Sequence, residues 1–285
     1  MSKFFTQSVV DKLQQQKFTD PLIIKYGGNA MIDQALQHSF AQDVAFLKRI
    51  GLKPVIVHGG GAHIKSMLQK QGKQEQFFHG LRITDSDTMS VVQMVLAGLI
   101  NKNIVSLINF YGGRAIGLTG QDAHIIRAKK LKLNESNAPD LGHVGVISSI
   151  DKSFLNTFID DDIIPVIAPI GVDQQGQALN INADTVASGL ALALTAKRLL
   201  LLSNIPGVMS DTGEQLRHLS FNQINSLIQA GTLKEGMLPK IEGALNAAKH
   251  GCTALIIDGR IAHVLITALS SSHGTVGTVI EPKER

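Results

Sequence analysis

The chain has little of what marks a secreted, disulfide-stabilised protein. Its 285 residues include a single cysteine, no tryptophan and only 5% aromatic residues. One cysteine cannot form an internal disulfide, which fits a reducing compartment. Cys252 stands just before an apolar, strand-like run, so we expect a buried structural side chain rather than a nucleophile.

Long apolar runs and basic clusters are also missing. No unbroken apolar run reaches the roughly 18 residues of a spanning helix, and residues 1–20 lack the apolar core of a signal peptide. The 27 basic residues are scattered among 23 acidic ones, whereas nucleic-acid binding needs a concentrated basic face. We expect a soluble protein that binds neither membrane nor nucleic acid. The cytoplasm is the expected compartment; a plastid stroma is the alternative, because lysine greatly outnumbers arginine, as in AT-rich genomes.

Signatures of several enzyme classes do not occur. No Gly-Lys-Ser/Thr follows the first glycine pair, and no Gly-x-Gly-x-x-Gly is present, which disfavours P-loop and Rossmann nucleotide sites. A Gly-x-Ser-x-Gly nucleophile elbow is missing too. The ten histidines form no pair with metal-ligand spacing, so we expect structural histidines and no dedicated metal site.

What is present is an alternation of short apolar runs and amphipathic stretches. The apolar runs are typical of buried parallel strands, which are covered on both faces; they are 22–26, 54–58, 114–118, 163–168, 198–202 and 254–258. Apolar residues recur at helical spacing in 34–50, 87–110, 183–194 and 239–250. The alternation predicts an α/β fold, a three-layer α/β/α sandwich with a mainly parallel central sheet.

Several segments interrupt this alternation and suggest two lobes. Residues 77–84 and 122–149 are predicted to form hairpins or a lid, and 173–176 a turn. We divide the chain into a helical extension (1–20), an N-lobe (21–180) and a C-lobe (181–285). Apolar residues at helical spacing in 3–17 predict a helix that packs on its own domain or pairs with a neighbouring subunit.

Two glycine clusters each follow a predicted strand. Lys25-Tyr26 leads into Gly27-Gly28, and His58 leads into Gly59-Gly60-Gly61. Glycine lets a loop bring several backbone N–H groups close to one anion, and Lys25 adds an ammonium group. Two such loops on neighbouring strands suit one transferring phosphoryl group, which points to a kinase. Either loop alone is equally typical of a tight strand–helix turn.

Other polar residues stand at predicted strand and helix ends. Arg82 has the fork geometry that clamps a carboxylate, although a surface ion pair explains it equally well. The run 180–184 contains three polar residues, Asn180, Asn182 and Asp184. Helix capping accounts for one of them but not for all three. The loop 203–208 follows a strand where open α/β sheets bind nucleotides, with a plain turn as the alternative. Lys240 falls in the first turn of a predicted helix, where the helix dipole disfavours a cation. A bound anion at this helix end would explain a lysine there.

Taken in order, these motifs closely resemble the acetylglutamate kinases of the amino acid kinase family. The resemblance covers nearly the whole chain, and its most specific stretches are 57–61, 79–84, 117–122, 141–145, 180–184 and 236–240. It implies that ATP phosphorylates the side-chain carboxylate of N-acetyl-L-glutamate in arginine biosynthesis. Because a carboxylate is already a nucleophile, such a reaction needs no general base.

The resemblance also implies a role for each matching residue. Lys25 and Lys240 would neutralise the phosphoryl group in transit, and Asp184 would hold both lysines. Acetylglutamate would bind in the N-lobe, to Gly60, Gly61, Arg82 and Asn180. ATP would bind in the C-lobe and at the first loop, to Gly27, Gly28, Asn204, Pro206, Gly207, Met209 and Lys234, with Mg²⁺ carried on its phosphates.

This chain departs from the family pattern at two positions. Asn204 stands where an acid is usual, and Ala268 stands where the arginine-inhibited hexameric branch has an acid, so we expect weak arginine binding. The extension still resembles that branch, which implies a homo-oligomer built from dimers, a hexamer. A PII-type nitrogen-signalling protein is a further partner that the family allows. Other acceptors (carbamate, aspartate, glutamate or UMP) and a non-catalytic nucleotide-binding nitrogen sensor are the alternative functions.

Overall fold

The computed structural model describes residues 4–16, 19–133, 135, 137–210, 212–229, 238–271 and 275–283. The helices are α1 (Gln7–Gln15), α2 (Gln34–Arg49), α3 (Gly61–Lys70), α4 (Ser86–Gln93), α5 (Asn101–Phe110), α6 (Lys152–Asp160), α7 (Ala183–Ala193), α8 (Phe221–Gln229), α9 (Leu238–Lys249) and α10 (Val264–Ser270). A π-helical stretch, Met94–Ile100, joins α4 to α5.

The strands are β1 (Pro21–Tyr26), β2 (Lys53–His58), β3 (Phe77–Phe78), β4 (Leu81–Arg82), β5 (Ala115–Thr119), β6 (Ile126–Lys130), β7 (Gly145–Ile150), β8 (Ile164–Ala168), β9 (Ile170–Val172), β10 (Ala178–Asn180), β11 (Arg198–Ser203), β12 (Val208–Met209), β13 (Gln215–Leu216), β14 (His218–Leu219), β15 (Thr253–Asp258) and β16 (Thr278–Ile280).

Within the described residues, eight strands form the central sheet in the order β14-β16-β15-β11-β1-β2-β8-β5. Neighbouring strands run parallel except β15 and β16. Successive side chains of a strand point to opposite faces. Accordingly, Ile24 packs in one apolar core and Ile23 in a second core across the sheet. The α/β fold with a mainly parallel central sheet is confirmed.

Smaller sheets occupy the segments that interrupt the alternation. Strands β3 and β4 form a hairpin within 77–84, and β6 and β7 form a hairpin that begins within 122–149 and ends one residue beyond it, at Ile150. The latter belongs to a second sheet in the order β10-β9-β6-β7. The predicted lobe boundary falls at the end of β10, yet the central sheet draws strands from both sides of it. The two lobes therefore remain a prediction.

The N-terminal helix α1 packs on its own chain. Leu13 is fully buried, and Gln16 donates to the carbonyl of Leu269 in α10 at 2.9 Å. Just before the helix, the ring of Phe4 lies 4.5 Å from His263 and that of Phe5 lies 4.9 Å from Phe46. The structure agrees with the first of the two interpretations of this segment, and leaves contact with another subunit as a prediction.

The helical segment Ser86–Phe110 is a candidate membrane span by length and composition, although polar residues interrupt its apolar runs. In its most apolar window 44% of the residues are buried inside the fold. Core helices of water-soluble proteins pass the same test, so this finding alone does not assign a span. On the outer side, Met94, Leu99 and Phe110 are exposed.

Candidate active site

The carboxyl ends of three adjacent parallel strands meet at one edge of the central sheet. Strand β1 ends at the first glycine loop, β2 at the second, and β11 at the loop 203–208. Open α/β sheets bind ligands at this edge. An open cleft of about 260 Å³ is lined there by eight predicted site residues, namely Lys25, Gly27, Gly28, Gly60, Gly61, Arg82, Asn180 and Asp184.

Two lysines share one carboxylate in this cleft. The Nζ of Lys25 lies 3.3 Å from Oδ1 of Asp184, and the Nζ of Lys240 lies 3.0 Å from Oδ2. Lys25 and Asp184 are buried, while Lys240 is half-buried at the start of α9. The structure thus brings together the three predicted catalytic residues from β1, α7 and α9, which lie far apart in the sequence.

Burial and mutual charge set the protonation of this cluster. Burial lowers the pKa of Lys25 below its ordinary 10.5, and the Asp184 carboxylate opposes that shift. Burial acts to raise the pKa of Asp184, but the charges of Lys25 and Lys240 outweigh it and hold that pKa below 3.8. Asp184 is therefore ionised at neutral pH, and it stabilises the protonated form of Lys25.

Helix α7 presents Asp184 through its first turn. Asn182 is the N-cap, and its Oδ1 accepts the backbone N–H groups of Asp184 at 2.8 Å and Thr185 at 3.3 Å. An N-cap side chain satisfies donors that the helix leaves unpaired. Capping explains Asn182, whereas Asp184 uses its side chain for the lysines.

The first glycine loop is held against the loop after β11. Oδ1 of Asn204 accepts the N–H of Asn29 at 2.7 Å, and Nδ2 of Asn204 donates to Oδ1 of Asn29 at 3.3 Å. Gly28 has φ +74°, and a Cβ there would overlap the Asn204 amide, so this position requires glycine. Asn204 makes these contacts with Asn29, and its contact with ATP stays a prediction.

Arg82 reaches the cleft from the β3–β4 hairpin with its guanidinium already engaged. It pairs with the carboxylate of Glu75 and donates to the carbonyl of Gly61 at 3.3 Å. Its guanidinium also lies over the ring of Phe77, 4.8 Å from the centroid. A guanidinium has five donors, so these contacts leave some of them available for an incoming carboxylate.

Asn180 lies across the cleft at the end of β10. Its Nδ2 donates to Oγ1 of Thr84 at 3.1 Å, and the rest of its amide borders the cleft. Gly61 begins α3, whose first N–H groups are free of intrahelical partners. A Cβ on Gly60 would meet the methyl groups of Leu96 and Ile100 at 2.5 Å, so that loop packs tightly on the helix below.

The remaining predicted nucleotide residues lie outside this cleft lining. Pro206 and Met209 are exposed, and Gly207 is buried beside Thr278 on the loop after β11. Lys234 and the stretch 236–237 lie outside the described residues. The structure therefore brings the catalytic and acceptor residues together and leaves the ATP contacts as predictions.

Two other predictions concern cysteine and histidine. Cys252 is buried, and burial raises the pKa of its thiol to about 12, which suits a structural rather than a nucleophilic side chain. His58 is fully buried below the second glycine loop, and burial lowers its pKa to about 4. Its Nδ1 lies 2.9 Å from the Gly59 carbonyl, and its Nε2 accepts from Asn101 at 3.2 Å, as expected of a neutral structural ring.

Three residues beside the site were not predicted. Glu75 pairs with Arg82, Thr84 bonds to Asn180, and Asn29 bonds to Asn204. Thr84 and Asn29 stand within motifs that were noted for neighbouring residues. Glu75 stands in a polar stretch between α3 and β3, where the sequence carries no signal for a buried partner of arginine.

Comparison with known proteins identifies the family. Residues 20–258 match the model of the amino acid kinase family. The chain belongs to that family. This amino acid kinase is 52% identical over 267 residues to an acetylglutamate kinase of Ruthia magnifica subsp. Calyptogena magnifica, covering 92% of this chain and 90% of the relative. It is 51% identical over 272 residues to an acetylglutamate kinase of Azoarcus sp. (strain BH72), and that match covers 93% of this chain and 90% of the relative.

Solved structures share its architecture. N-acetylglutamate synthase of Neisseria gonorrhoeae, complexed with coenzyme A and N-acetyl-glutamate, has a TM-score of 0.86 at 21% identity. That match covers 98% of this chain and 63% of the synthase chain. Giardia carbamate kinase has a TM-score of 0.64 at 16% identity, covering 92% of this chain and 98% of the other. At such identities the likeness shows the fold alone.

Proposed function

We propose that this amino acid kinase transfers the γ-phosphoryl group of ATP to the side-chain carboxylate of N-acetyl-L-glutamate. The product is N-acetyl-L-glutamyl 5-phosphate, and the step belongs to arginine biosynthesis. The observation that carries the proposal is the Lys25–Asp184–Lys240 cluster, which shares one cleft with Arg82 and Asn180. Two relatives with about half of their residues identical are named acetylglutamate kinase, which supports the choice of acceptor.

The transfer requires positioning and charge neutralisation. An acceptor carboxylate oxygen forms the new P–O bond while the bond from the γ-phosphorus to the bridging oxygen breaks, and ADP leaves with that electron pair. Charge builds on the phosphoryl oxygens and on the leaving ADP. Lys25 and Lys240 supply two positive charges there, and Asp184 holds the two mutually repelling ammonium groups close together. Preorganised charges of this kind lower the barrier without reorganising during the reaction.

The acceptor side of the cleft suits an acylated amino acid. The guanidinium of Arg82 offers donors to the α-carboxylate, and the amide of Asn180 offers a donor and an acceptor to the acetamido group. The N–H groups of the second glycine loop and of the first turn of α3 face the reacting carboxylate. These assignments place the acceptor beside the first glycine loop, where the γ-phosphoryl group would bind.

The nucleotide enters as its magnesium complex. In the described parts of the chain, no group of three or more histidine, cysteine, aspartate and glutamate residues has a metal-binding arrangement. Asp184 is already paired with two lysines. We therefore propose that Mg²⁺ is coordinated by the phosphates of ATP and not by a dedicated group of side chains. There it would neutralise charge on the β- and γ-phosphoryl groups.

The decisive experiment measures ADP release and traps the acyl phosphate with hydroxylamine. The acceptor panel contains N-acetyl-L-glutamate, glutamate, aspartate, carbamate and UMP. We expect turnover and hydroxamate formation with N-acetyl-L-glutamate alone. Activity that prefers another acceptor would replace the substrate, and ATP binding without any turnover would favour the nitrogen-sensor alternative.

We also propose a homo-oligomer. Met94, Leu99 and Phe110 are exposed on the helical segment Ser86–Phe110, and exposed apolar side chains on one segment favour contact with a second copy. The hexamer and the PII-type partner rest on the resemblance alone.

A further inference from the structure

A single hydroxyl group connects the two predicted acceptor-binding residues. Oγ1 of Thr84 donates to the backbone carbonyl of Arg82 at 2.7 Å and accepts from Nδ2 of Asn180 at 3.1 Å. Thr84 is fully buried and does not line the cleft. It therefore contacts the residues that would bind the substrate without reaching the substrate itself.

A third segment reinforces this connection. The N–H of Thr84 donates to the carbonyl of Leu141 at 3.1 Å, and the N–H of His143 donates to the carbonyl of Thr84 at 2.6 Å. On its other side, the carbonyl of His143 accepts the N–H of Asn180 at 2.8 Å. Residues 141–143 thus lie between the β3–β4 hairpin and β10, and bond to both.

The approach of these backbones explains a motif that the kinase chemistry leaves unused. Gly142 has φ +67°, and a Cβ there would overlap the carbonyl group of Thr84, so only glycine permits the contact. The stretch 141–145 was among the most specific sequence motifs, yet none of its side chains takes part in the proposed transfer. Its position indicates that it supports the acceptor site.

Hydrogen bonding to Thr84 restrains Asn180 in a defined way. One N–H of the amide is used by Oγ1, which limits rotation of the amide and leaves the remaining donor and the carbonyl oxygen for the cleft. The same hydroxyl restrains the backbone of Arg82, from which the guanidinium extends. Arg82 and Asn180 consequently share one buried anchor although 98 positions separate them in the sequence (180 − 82).

We propose that Thr84 is a positioning residue that sets the spacing between Arg82 and Asn180 and thereby the affinity for the amino-acid acceptor. This proposal rests on the proposed function of the cleft. Thr84 acts through the two ligands, so its loss affects acceptor binding far more than ATP binding. A residue that only stabilised the fold would instead affect both substrates alike.

The test compares Thr84→Val with two matched variants. Valine keeps the shape of threonine and removes the hydroxyl, so the KM for N-acetyl-L-glutamate should rise by roughly 5- to 30-fold, the loss of one or two hydrogen bonds. Thr84→Ser keeps the hydroxyl and should stay within about 2-fold of the parent KM. Thr88→Val removes the hydroxyl of another buried threonine, which bonds to Asp85, and should leave both KM values unchanged.

A double-mutant cycle isolates the route through Asn180. Once Asn180→Ala has removed the amide, adding Thr84→Val should raise the acceptor KM much less than it does in the parent. Should Thr84→Val fail to fold, Thr84→Ala removes the same hydroxyl and enters the same cycle. An unchanged acceptor KM in folded Thr84→Val or Thr84→Ala, or equal increases for acceptor and ATP, would overturn the proposal.

Failure of the proposed function would be recognised separately. In that case the parent protein itself would not phosphorylate N-acetyl-L-glutamate, and calorimetric titration would detect no binding of it. The positioning role as stated would then be wrong together with its substrate. A parent that turns over normally, with Thr84→Val and Thr84→Ala variants that match it, would overturn the positioning role alone.

Discussion

Lys25, Asp184 and Lys240 form one cluster in which a single carboxylate pairs with two lysines. Lys240→Ala removes one of the two cations that we propose face the phosphoryl group in transit. We expect kcat to fall by roughly 10²–10³, the usual effect of losing one electrostatic donor, with a much smaller change in the KM for ATP. Steady-state kinetics at saturating acceptor measures both values.

The matched control for that variant lies on the same helix. Lys249 is exposed at the far end of α9, so Lys249→Ala removes an equal charge and an equal side chain away from the cleft. Its kcat should equal that of the parent. A near-normal kcat for Lys240→Ala would remove Lys240 from the mechanism.

The same cluster predicts a pH effect. Burial lowers the pKa of Lys25 and the Asp184 charge opposes that shift, so replacing the carboxylate with an amide must lower the pKa further. Because the protonated lysine is the active form, the alkaline decline of kcat in Asp184→Asn should begin at lower pH than in the parent. A pH profile of kcat from pH 6 to pH 10 tests this order, and coincident declines would show that Lys25 does not control the alkaline limb.

At the scale of elements, capping of α7 links stability to catalysis. Asn182→Ala removes the N-cap at the helix that carries Asp184, which should cost roughly 1 kcal/mol of unfolding free energy. It should also lower kcat several-fold, because the Asp184 carboxylate loses its fixed position between the lysines. Chemical denaturation and steady-state kinetics measure the two effects.

A second helix provides the comparison for that variant. Asp151 caps α6 by accepting the N–H groups of Ser153 and Phe154, and it is not part of the cleft lining. Asp151→Ala should lower stability by a similar amount and leave kcat unchanged. If the two variants lose activity equally, stability alone accounts for the effect of Asn182.

Prediction from sequence worked best for elements with a strong local signal. Strands β1, β2 and β11 were placed within one residue of their observed bounds, because buried strands are continuous apolar runs with abrupt polar ends. Helix α3 was not predicted, since its buried apolar residues are only Ile64 and Leu68. The three-residue strands β9 and β10 are too short to show an alternation of apolar and polar residues.

The same difference between local and distant signals applies to the site. Glycine clusters after strands and the polar residues of 180–184 carry their signal within a few positions. Two contacts made by the tertiary fold do not. Glu75 and Arg82 meet where the chain doubles back in the β3–β4 hairpin, and Thr84 bonds to Asn180 of β10, 96 positions away. The amide of Asn204 likewise bonds to Asn29, 175 positions away, and only the tertiary fold reveals that contact.

At the scale of the whole molecule, the helical segment Ser86–Phe110 exposes apolar side chains that its own chain does not cover. Met94 is 54% exposed and Leu99 is 47% exposed, with Gly98 between them. Absence of a side chain at Gly98 permits another helix to approach closely. A two-fold contact would place this side against the same side of a second copy, as in most homo-dimers. By contrast, the apolar side of α1 already packs on its own chain.

The proposed dimer and the proposed hexamer involve two surfaces that can be tested independently. Met94→Glu with Leu99→Glu should convert the assembly to monomers, because two like charges would face each other across a two-fold contact. Leu192→Glu alters a similarly exposed leucine on α7 and should leave the oligomeric state unchanged.

Deleting residues 1–17 should reduce a hexamer to an active dimer, with some loss of stability because Leu13 and its contacts on the core disappear. Light scattering of each protein after gel filtration measures these states. A full-length dimer would exclude the hexamer, and a dimer that survives both glutamates would place the interface elsewhere.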